Sequence, residues 1–285
     1  METWDNVGGG NFLHMRCAVH ILNLVMEGLK ENDESISRIR SGIRFVRSSP
    51  VRLQKFKNCV KQEQIESKRQ LCLDVETRWN STYLMLEYAS IYRKAFDFLE
   101  TSDGGKFKAK LSKTLSVPTD EDWDRIASIL PFLKFFYDAT LRLSGSLYAT
   151  SNVYLQELVA ISKMIKKKSE SSDFSERFMA HGMKKKHKKY WQNVDNMNLM
   201  LYIAAVVDPR WKMHYVKWAI NDQYELDKSL ELHKMVMDTL TSLYGHYTSQ
   251  QTQNMTNPYD FVDMASRDMD NFEDWHDMAG YEFEK

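Results

Sequence analysis

Residues that break regular structure are scarce in this chain, and this scarcity constrains the fold more than any other feature. Only 11 glycines and 5 prolines occur among 285 residues. A protein built of many short strands needs such residues in its tight turns, whereas long helices need few of them. The sequence therefore predicts a mainly α-helical protein.

Apolar residues recur at helical spacing along most of the chain. The helices that this pattern predicts cover residues 18–30, 35–46, 51–70, 80–100, 119–145, 151–165, 176–191, a segment opening at 208, and 227–247, and residues 199–207 form an apolar run. The segment 11–17 instead alternates apolar and polar residues, which is typical of a short strand leading into the first helix. Residues 101–117 are predicted to be a loop, and the chain after Thr248 a mobile acidic tail.

Three polar residues are candidates for helix N-caps, because their side chains can accept a hydrogen bond from a free backbone N–H. Thr119 precedes three acids that favour a helix start. Asn80 would cap a helix with Trp79 packed on Leu84 as a hydrophobic staple. Asp208 would cap a helix whose first residue is a proline. On the last helix, the buried side is predicted to be Leu230, Met237, Leu240 and Tyr244.

Composition excludes several classes of protein. At 43% hydrophobic and 27% charged residues, the chain has ordinary globular usage. No apolar run reaches the roughly 18 residues that a membrane span needs, and 3 cysteines cannot make a disulfide framework. We therefore expect no membrane partner and a reducing compartment.

Basic residues are concentrated in one segment although the net charge is zero. Between positions 163 and 189 there are ten Lys and Arg against three acids, whereas residues 250–285 hold nine acids against two bases. The densest run contributes Lys184, Lys185, Lys186, Lys188 and Lys189. These side chains can bind phosphates or act as a nuclear localisation signal; a merely solvated helix face is an equally good interpretation.

Motifs for catalysis are weak. Cys17 and His20 have the spacing of half a zinc site, but a structural zinc ion needs four ligands, and we predict no metal. Neither a phosphate-binding glycine loop nor a nucleophile motif is evident. We expect no cofactor and no small-molecule substrate.

Three ordered segments together resemble the hAT superfamily of transposases, in particular the plant sleeper-type proteins that carry a BED zinc finger. They are R-C-x-x-H-x-x-N-L from Arg16, T-R-W-N-S from Thr77, and Met183–Trp191 followed by A-A-V-V-D-P-R-W-K from Ala204. The resemblance implies an RNase H-like α/β core interrupted by a helical insertion domain. The implied organisation is a strand–helix remnant of that core in 1–33, an insertion domain in 34–170, an RNase H-fold segment in 171–248 and an acidic, disordered tail in 249–285.

The resemblance also implies where catalytic acids should lie. In the family three acids bind two metal ions, two of them before the R-C-x-x-H segment and one in a later S-x-x-E-R segment. Glu2 and Asp5 do not match the first, and the later segment has no counterpart here. We therefore expect a fragment that is not an enzyme and has no catalytic residues.

By the same resemblance, His20 and Trp79 correspond to positions near the family's DNA-processing centre. Trp79 would stack on an extruded base or only anchor its helix, and Arg78 would contact a phosphate or be an ordinary surface charge. The function expected is that of a nuclear, transposase-derived, catalytically inactive DNA-binding protein.

Two alternatives remain open at this point. The chain could be an interaction module that forms a homo-oligomer or binds a full-length relative, with 227–247 as its surface. It could also be a non-functional relic with an exposed strand edge near residues 12–17.

Overall fold

The fold was analysed in a computed structural model of the chain, which describes residues 17–30, 34–75, 77–113, 116–191 and 198–254. The regular structure in these ranges is helical, which confirms a mainly α-helical protein. The strand predicted at 11–17 and the tail predicted after Thr248 lie wholly or largely outside the described residues. Within the described ranges, no helix combines the length and apolar character needed to cross a bilayer.

Twelve helices follow one another in the described residues. They are α1 (Ala18–Lys30), α2 (Glu34–Arg47), α3 (Pro50–Gln62), α4 (Trp79–Ile91), α5 (Arg93–Ser102), α6 (Lys106–Leu111), α7 (Asp120–Leu143), α8 (Ser151–Ser169), α9 (Phe174–Trp191), α10 (Met200–Val207), α11 (Lys212–Gln223) and α12 (Leu226–Asn254). The chain divides into a larger unit, residues 12–234, and a smaller unit of residues 1–11 and 235–285.

Two groups of helices make up the larger unit. In the first, α2 packs against α3, α4, α6 and α7, and α3 packs against α5. In the second, α9 lies between α1 and α8, while α10 packs against α8 and α11. The long helix α7 joins them because it packs against α1, α4 and α8.

Aromatic rings fill the core of the first group. Phe96 lies at its centre, with ring centroids 4.8 Å from Phe56, 6.4 Å from Phe107 and 5.7 Å from Trp123. Phe45 extends the cluster, 5.1 Å from Phe107. Aromatic pairs of this geometry add about 0.5–1.5 kcal/mol each beyond the burial of their area.

The capping prediction at Thr119 is confirmed. Its hydroxyl accepts from the Asp122 N–H at 3.4 Å, and Asp122 Oδ2 accepts from the Thr119 N–H at 2.8 Å, so each residue satisfies the other. Asp122 also accepts from Ser35 Oγ at 2.7 Å and from Arg38 Nη1 at 3.0 Å. The cap of α7 therefore also binds α2.

Several predicted boundaries are wrong. The helix predicted over 51–70 ends at Gln62, because Gln64 adopts a left-handed φ of 52°, and residues 65–75 beyond it form no regular secondary structure. The helix predicted over 80–100 is interrupted at Tyr92, whose buried ring separates α4 from α5. The predicted loop 101–117 contains the short helix α6, which Phe107 and Leu111 hold against the core.

Asp208 is not the N-cap of the next helix, which begins only at Lys212. Its carboxylate instead accepts from the Arg210 backbone N–H at 3.0 Å and from Arg210 Nη2 at 2.7 Å. It also accepts from Asn152 Nδ2 of α8 at 2.9 Å. The aspartate therefore closes a turn and ties that turn to α8.

The buried face predicted for the last helix is also wrong. Leu230 is 59% and Tyr244 72% exposed, whereas Ser229 and Leu232 are buried. The helix carries more than one apolar stripe, and periodicity alone does not decide which of them packs inward.

Candidate nucleic-acid interface

The T-R-W-N-S segment connects an extended stretch to the start of α4. Arg78 is the N-cap residue, with extended backbone and no side-chain cap of its own. Ser81 Oγ accepts from the Val75 N–H at 2.8 Å and donates to the Arg78 carbonyl oxygen at 2.6 Å. This serine therefore folds the incoming chain back onto the first turn of the helix.

Asp74 anchors the same stretch through its side-chain hydrogen bonds. It accepts two hydrogen bonds from Arg40, at 2.8 Å from Nε and 2.7 Å from Nη2, and one from Thr82 Oγ1 at 2.8 Å. The carboxylate is almost fully buried. A bidentate pair of this kind is directional, so it fixes the extended chain relative to both α2 and α4.

Asn23 of α1 supplies the cap that α4 lacks. Its Oδ1 accepts from the Trp79 N–H at 3.4 Å, and its Nδ2 donates to the Thr77 carbonyl oxygen at 3.3 Å. The N-terminal N–H groups of a helix have no partner within the helix. One side chain from the first hAT-like segment therefore holds the backbone of the second.

Trp79 is the first residue of α4 rather than the residue before its cap, so the predicted N-cap at Asn80 and the staple on Leu84 are wrong. The Trp79 side chain is 4% exposed, and its ring meets that of Phe136 edge-on at 6.4 Å. The indole is therefore part of the packing between α4 and α7.

An open cleft of about 560 Å³ lies where the start of α1 meets the start of α4. It is lined by Cys17, Val19, His20, Asn23, Thr77, Arg78, Trp79 and Asn80. Three of the predicted site residues, His20, Arg78 and Trp79, are thus brought together. His20 and Arg78 are exposed, so imidazole and guanidinium groups are accessible at the rim.

The lining of this cleft is rich in hydrogen-bond donors. Thiol, imidazole, amide, guanidinium and indole groups contribute to it, and the described lining residues include no carboxylate. Magnesium prefers carboxylate oxygens as its protein ligands, whereas phosphate oxygens are bound by donors. The cleft is chemically suited to phosphate contact.

The basic run lies on α9 and separates into two faces. The buried face consists of Met179, Ala180, Met183, His187 and Trp191, at the spacing of one helix side. Lys184, Lys185, Lys188 and Lys189 are exposed, and Lys186 is half-buried. In the described part of the chain, no carboxylate lies within ion-pair distance of the four exposed ammonium groups. By contrast, Lys168 of α8 pairs with Glu176.

His187 belongs to the core although it stands among lysines. It is 3% exposed, and its ring lies 5.1 Å from that of Trp191. Burial lowers the pKa of His187 to about 4, because the charged form is deprived of water. The imidazole is therefore neutral near pH 7 and adds nothing to the charge of the run.

The lysines of α9 are not among the described residues that line the α1–α4 cleft, so the predicted site residues form two surfaces. Both belong to the larger unit, and α1 packs directly on α9. Sequence reasoning did not select Asn23, which the structure places at the cleft. Its signal was its position three residues after His20, which puts the two on one side of α1.

Two family models match the chain. The ZBED1 RNase-like helical domain matches residues 15–132, and the RNase-H fold of hAT-like transposases matches residues 152–247. The first range contains the α1–α4 cleft, and the second contains α9. An RNase-like helical domain followed by the RNase-H fold of hAT-like transposases defines a transposase-type protein. The chain belongs to the hAT transposase family.

Curated relatives come from plants and a fungus. The chain is 34% identical over 242 residues to the zinc finger BED domain-containing protein RICESLEEPER 2 of Oryza sativa, covering 85% of this chain and 32% of that protein. It is 31% identical over 281 residues to a putative AC transposase of Zea mays, covering 96% and 34%. To the BED protein DAYSLEEPER of Arabidopsis thaliana it is 28% identical over 194 residues, covering 68% and 26%.

The chain therefore spans about a third of the length of curated relatives such as RICESLEEPER 2 and the putative AC transposase. No solved structure matches it.

Proposed function

We propose that this chain is a nuclear, transposase-derived DNA-binding protein that has no strand-transfer activity of its own. The observation that carries the proposal is the exposed face of α9, where four lysines lie on one helix side without acidic partners in the described structure. Each phosphate that such groups neutralise releases counterions and adds sequence-independent affinity. A transposase acts on DNA, so the family is consistent with this partner.

The α1–α4 cleft gives the proposal a second contact. Arg78 is exposed at the N-cap of α4 and is held there by the bonds of Asn23 and Ser81 around it. His20 of α1 is an exposed residue that lines the same cleft. We assign phosphate contact to Arg78 and His20, and we assign to Trp79 the role of anchoring the helix that presents Arg78.

The test is fluorescence anisotropy of the full chain with a short labelled duplex at about 50 and 200 mM salt. Several phosphate contacts should weaken binding by orders of magnitude across this range. Replacing Lys184, Lys185, Lys188 and Lys189 with Gln should remove most of the affinity. The matched control replaces Lys57, Lys61, Lys68 and Lys94 with Gln, since these are also exposed and their replacement changes the net charge by the same amount. Equal losses in both variants would overturn the assignment to α9.

Absence of strand transfer is tested separately. The chain is incubated with supercoiled and hairpin DNA in magnesium or manganese, the ions that a carboxylate-bound two-metal site uses. We expect no cleavage above a heat-inactivated control. Metal-dependent nicking that persists through further purification would contradict this part of the proposal.

Nuclear localisation rests on the same lysine run. Accessible clusters of Lys and Arg act as import signals, and four of the five lysines between positions 184 and 189 are exposed. A fluorescent fusion of the chain should concentrate in the nucleus, and the four-lysine variant should spread through the cell. Nuclear retention of that variant, equal to that of the unchanged fusion, would refute the assignment.

A second candidate function is protein interaction through the end of α12. Met237 is 44%, Tyr244 72% and Tyr247 57% exposed, and their spacing places all three on one helix side. Light scattering after size exclusion should show mass rising with concentration if this side pairs with a second copy. Replacing Tyr244 and Tyr247 with Ser should then abolish the rise, whereas the four-lysine variant should not.

A further inference from the structure

A basic cleft lies in the first group of helices, between α2, the start of α3 and the end of α6. Its volume is about 340 Å³. It is lined by Ser41, Arg44, Phe45, Ser48, Arg52, Lys110, Leu111 and Lys113. Four of these side chains are cationic and two carry hydroxyl groups. None of the described lining residues is acidic.

Among the described residues, these four cations form no ion pairs. Arg52 donates to Ser48 Oγ at 2.5 Å, and its guanidinium carbon lies 4.3 Å from the centre of the Phe45 ring. In the part of the chain that the structure describes, no carboxylate pairs with Arg44, Arg52, Lys110 or Lys113. Cations one turn away on α2 and α3 do have partners: Arg40 binds Asp74 at 2.7 Å and Lys55 binds Asp103 at 2.5 Å.

Helix ends explain only part of this charge. Arg44 and Lys110 stand in the last turns of α2 and α6, where the negative end of the helix dipole favours a cation. Arg52 stands in the first turn of α3, where the dipole opposes a cation, and that turn contains no acid. The positive end of α3 therefore adds to the field of four cations in one cleft. Such a field favours an anion.

The shape of the cleft selects the kind of anion. Arg44, Lys110 and Lys113 are exposed at its rim, so an extended chain can lie across it. Phe45 is 7% exposed and covered by Arg52, which leaves no ring face on which the base of a free nucleotide could stack. A phosphodiester needs donors and positive charge but no base pocket.

We propose that this cleft binds a backbone phosphate of DNA, as a contact separate from α9 and from the α1–α4 cleft. The inference rests on the proposed DNA-binding function and extends it. Because Arg44 and Arg52 lie on different helices from the α9 lysines, DNA would be held by both groups of helices in the larger unit.

The experiment measures the salt dependence of duplex binding by the full chain. Arg44, Lys110 and Lys113 are replaced together with Gln, while Arg52 is kept because it covers Phe45. The control replaces Lys57, Lys61 and Lys94 with Gln. Each lost phosphate contact should reduce the slope of log K against log salt by about 0.9. Because the cleft is proposed to bind one phosphate, we expect the first variant to have a slope lower by about 0.9 and the control to match the unchanged chain.

A second variant protects the test against misfolding. Lys113→Glu is a single exposed change beyond the end of α6, and it should lower the slope as well. Circular dichroism and thermal melting establish that both variants fold. A folded triple variant with the slope of its control would overturn the inference.

The remaining outcomes separate the two proposals. If the α9 variant loses binding and the cleft variant does not, the DNA-binding function stands and the cleft inference falls. If the cleft variant alone loses binding, the inference stands and the assignment to α9 falls. No duplex binding by the unchanged chain at 50 mM salt would overturn both. A phosphoserine peptide that binds the chain but not the cleft variant, with duplex binding equal in both, would replace DNA by a phosphoprotein and overturn the inference.

Discussion

The Asn23 side chain bonds the backbone on both sides of the Arg78 residue: it donates to the Thr77 carbonyl oxygen at 3.3 Å and accepts from the Trp79 N–H at 3.4 Å. Two of the three sequence segments that resemble the hAT family meet at this amide, and Asn23 and Thr77 are 54 residues apart in the sequence. Their occurrence in one chain thus has a structural reason. The first segment positions the helix start that presents Arg78.

Replacing Asn23 with Ala should lower the free energy of unfolding by about 1–2 kcal/mol, because it removes the cap of α4 and leaves two backbone groups without that partner. Urea denaturation followed by circular dichroism measures the change. Asn58→Ala is the control, since Asn58 is exposed on α3 and its side chain accepts from Gln54, also exposed on that helix. Its effect should stay within about 0.5 kcal/mol. A similar midpoint for both variants would contradict the capping role.

Trp79→Phe should leave the affinity for duplex DNA within about twofold, because the buried indole contacts Phe136 and not solvent. Arg78→Gln should weaken binding and reduce the salt slope by about 0.9, the value for one phosphate. Anisotropy titrations measure both. A large loss of affinity in folded Trp79→Phe, with the salt slope unchanged, would instead indicate that Trp79 stacks on a base.

Trp79→Ala, which opens a cavity between α4 and α7, should lower the free energy of unfolding by about 3–5 kcal/mol.

Helix boundaries were predicted correctly where particular capping residues determine them. Thr119 followed by Asp122 has the side chains for a reciprocal cap, and the start of α7 was predicted from them. The end of α3 was not predicted, because Gln64 is an ordinary helix former and its type gives no sign of the positive φ that it adopts in the turn at 63–64. The break at Tyr92 was hidden because its apolar neighbours keep helical spacing on both sides.

Only part of the candidate site could be predicted from the sequence. His20, Arg78 and the lysines of α9 were found because they lie in recognisable motifs and have side chains that can bind phosphate. That Lys184 and Lys188 are exposed while His187 is buried follows from which face of α9 meets α1 and α8, a tertiary fact. The cleft of Arg44 and Arg52 went unnoticed because its charges come from three helices and form no run in the sequence.

Asp74→Ala should be strongly destabilising, by about 3–5 kcal/mol, because it leaves the Arg40 guanidinium without its bidentate carboxylate in a nearly buried position. Thermal or chemical denaturation measures the loss. Asp138→Ala removes an exposed i,i+4 pair with Lys134 and should cost under about 0.5 kcal/mol. If the two variants were equally stable, the Arg40–Asp74 pair would have no role in holding the extended chain before α4.

Stability should fall as the pH drops from about 6.5 to about 4, and His187 should account for a measurable part of the fall. Burial lowers the pKa of His187 from 6.5 to about 4 in the folded chain, so the unfolded chain takes up the proton first as the pH falls. The stability it contributes is thus complete above pH 6.5 and is lost on the way to pH 4, by at most about 3 kcal/mol.

His187→Leu, which keeps a side chain of similar volume, should be as stable as the unchanged chain at pH 7.5. The buried Nε2 of His187 has no hydrogen-bond partner among the described residues, so its removal carries no penalty there. Between pH 6.5 and 4 the variant should lose less stability than the unchanged chain, and the difference between the two curves measures the contribution of His187. Carboxylates such as Asp122 and Asp208 act at lower pH, because the hydrogen bonds that they accept lower their pKa values. His214→Gln, a change on the exposed side of α11, should keep the full loss. Parallel curves for the unchanged chain and His187→Leu would show that the imidazole is solvated, and that the lysine face of α9 is not separated from the core as described.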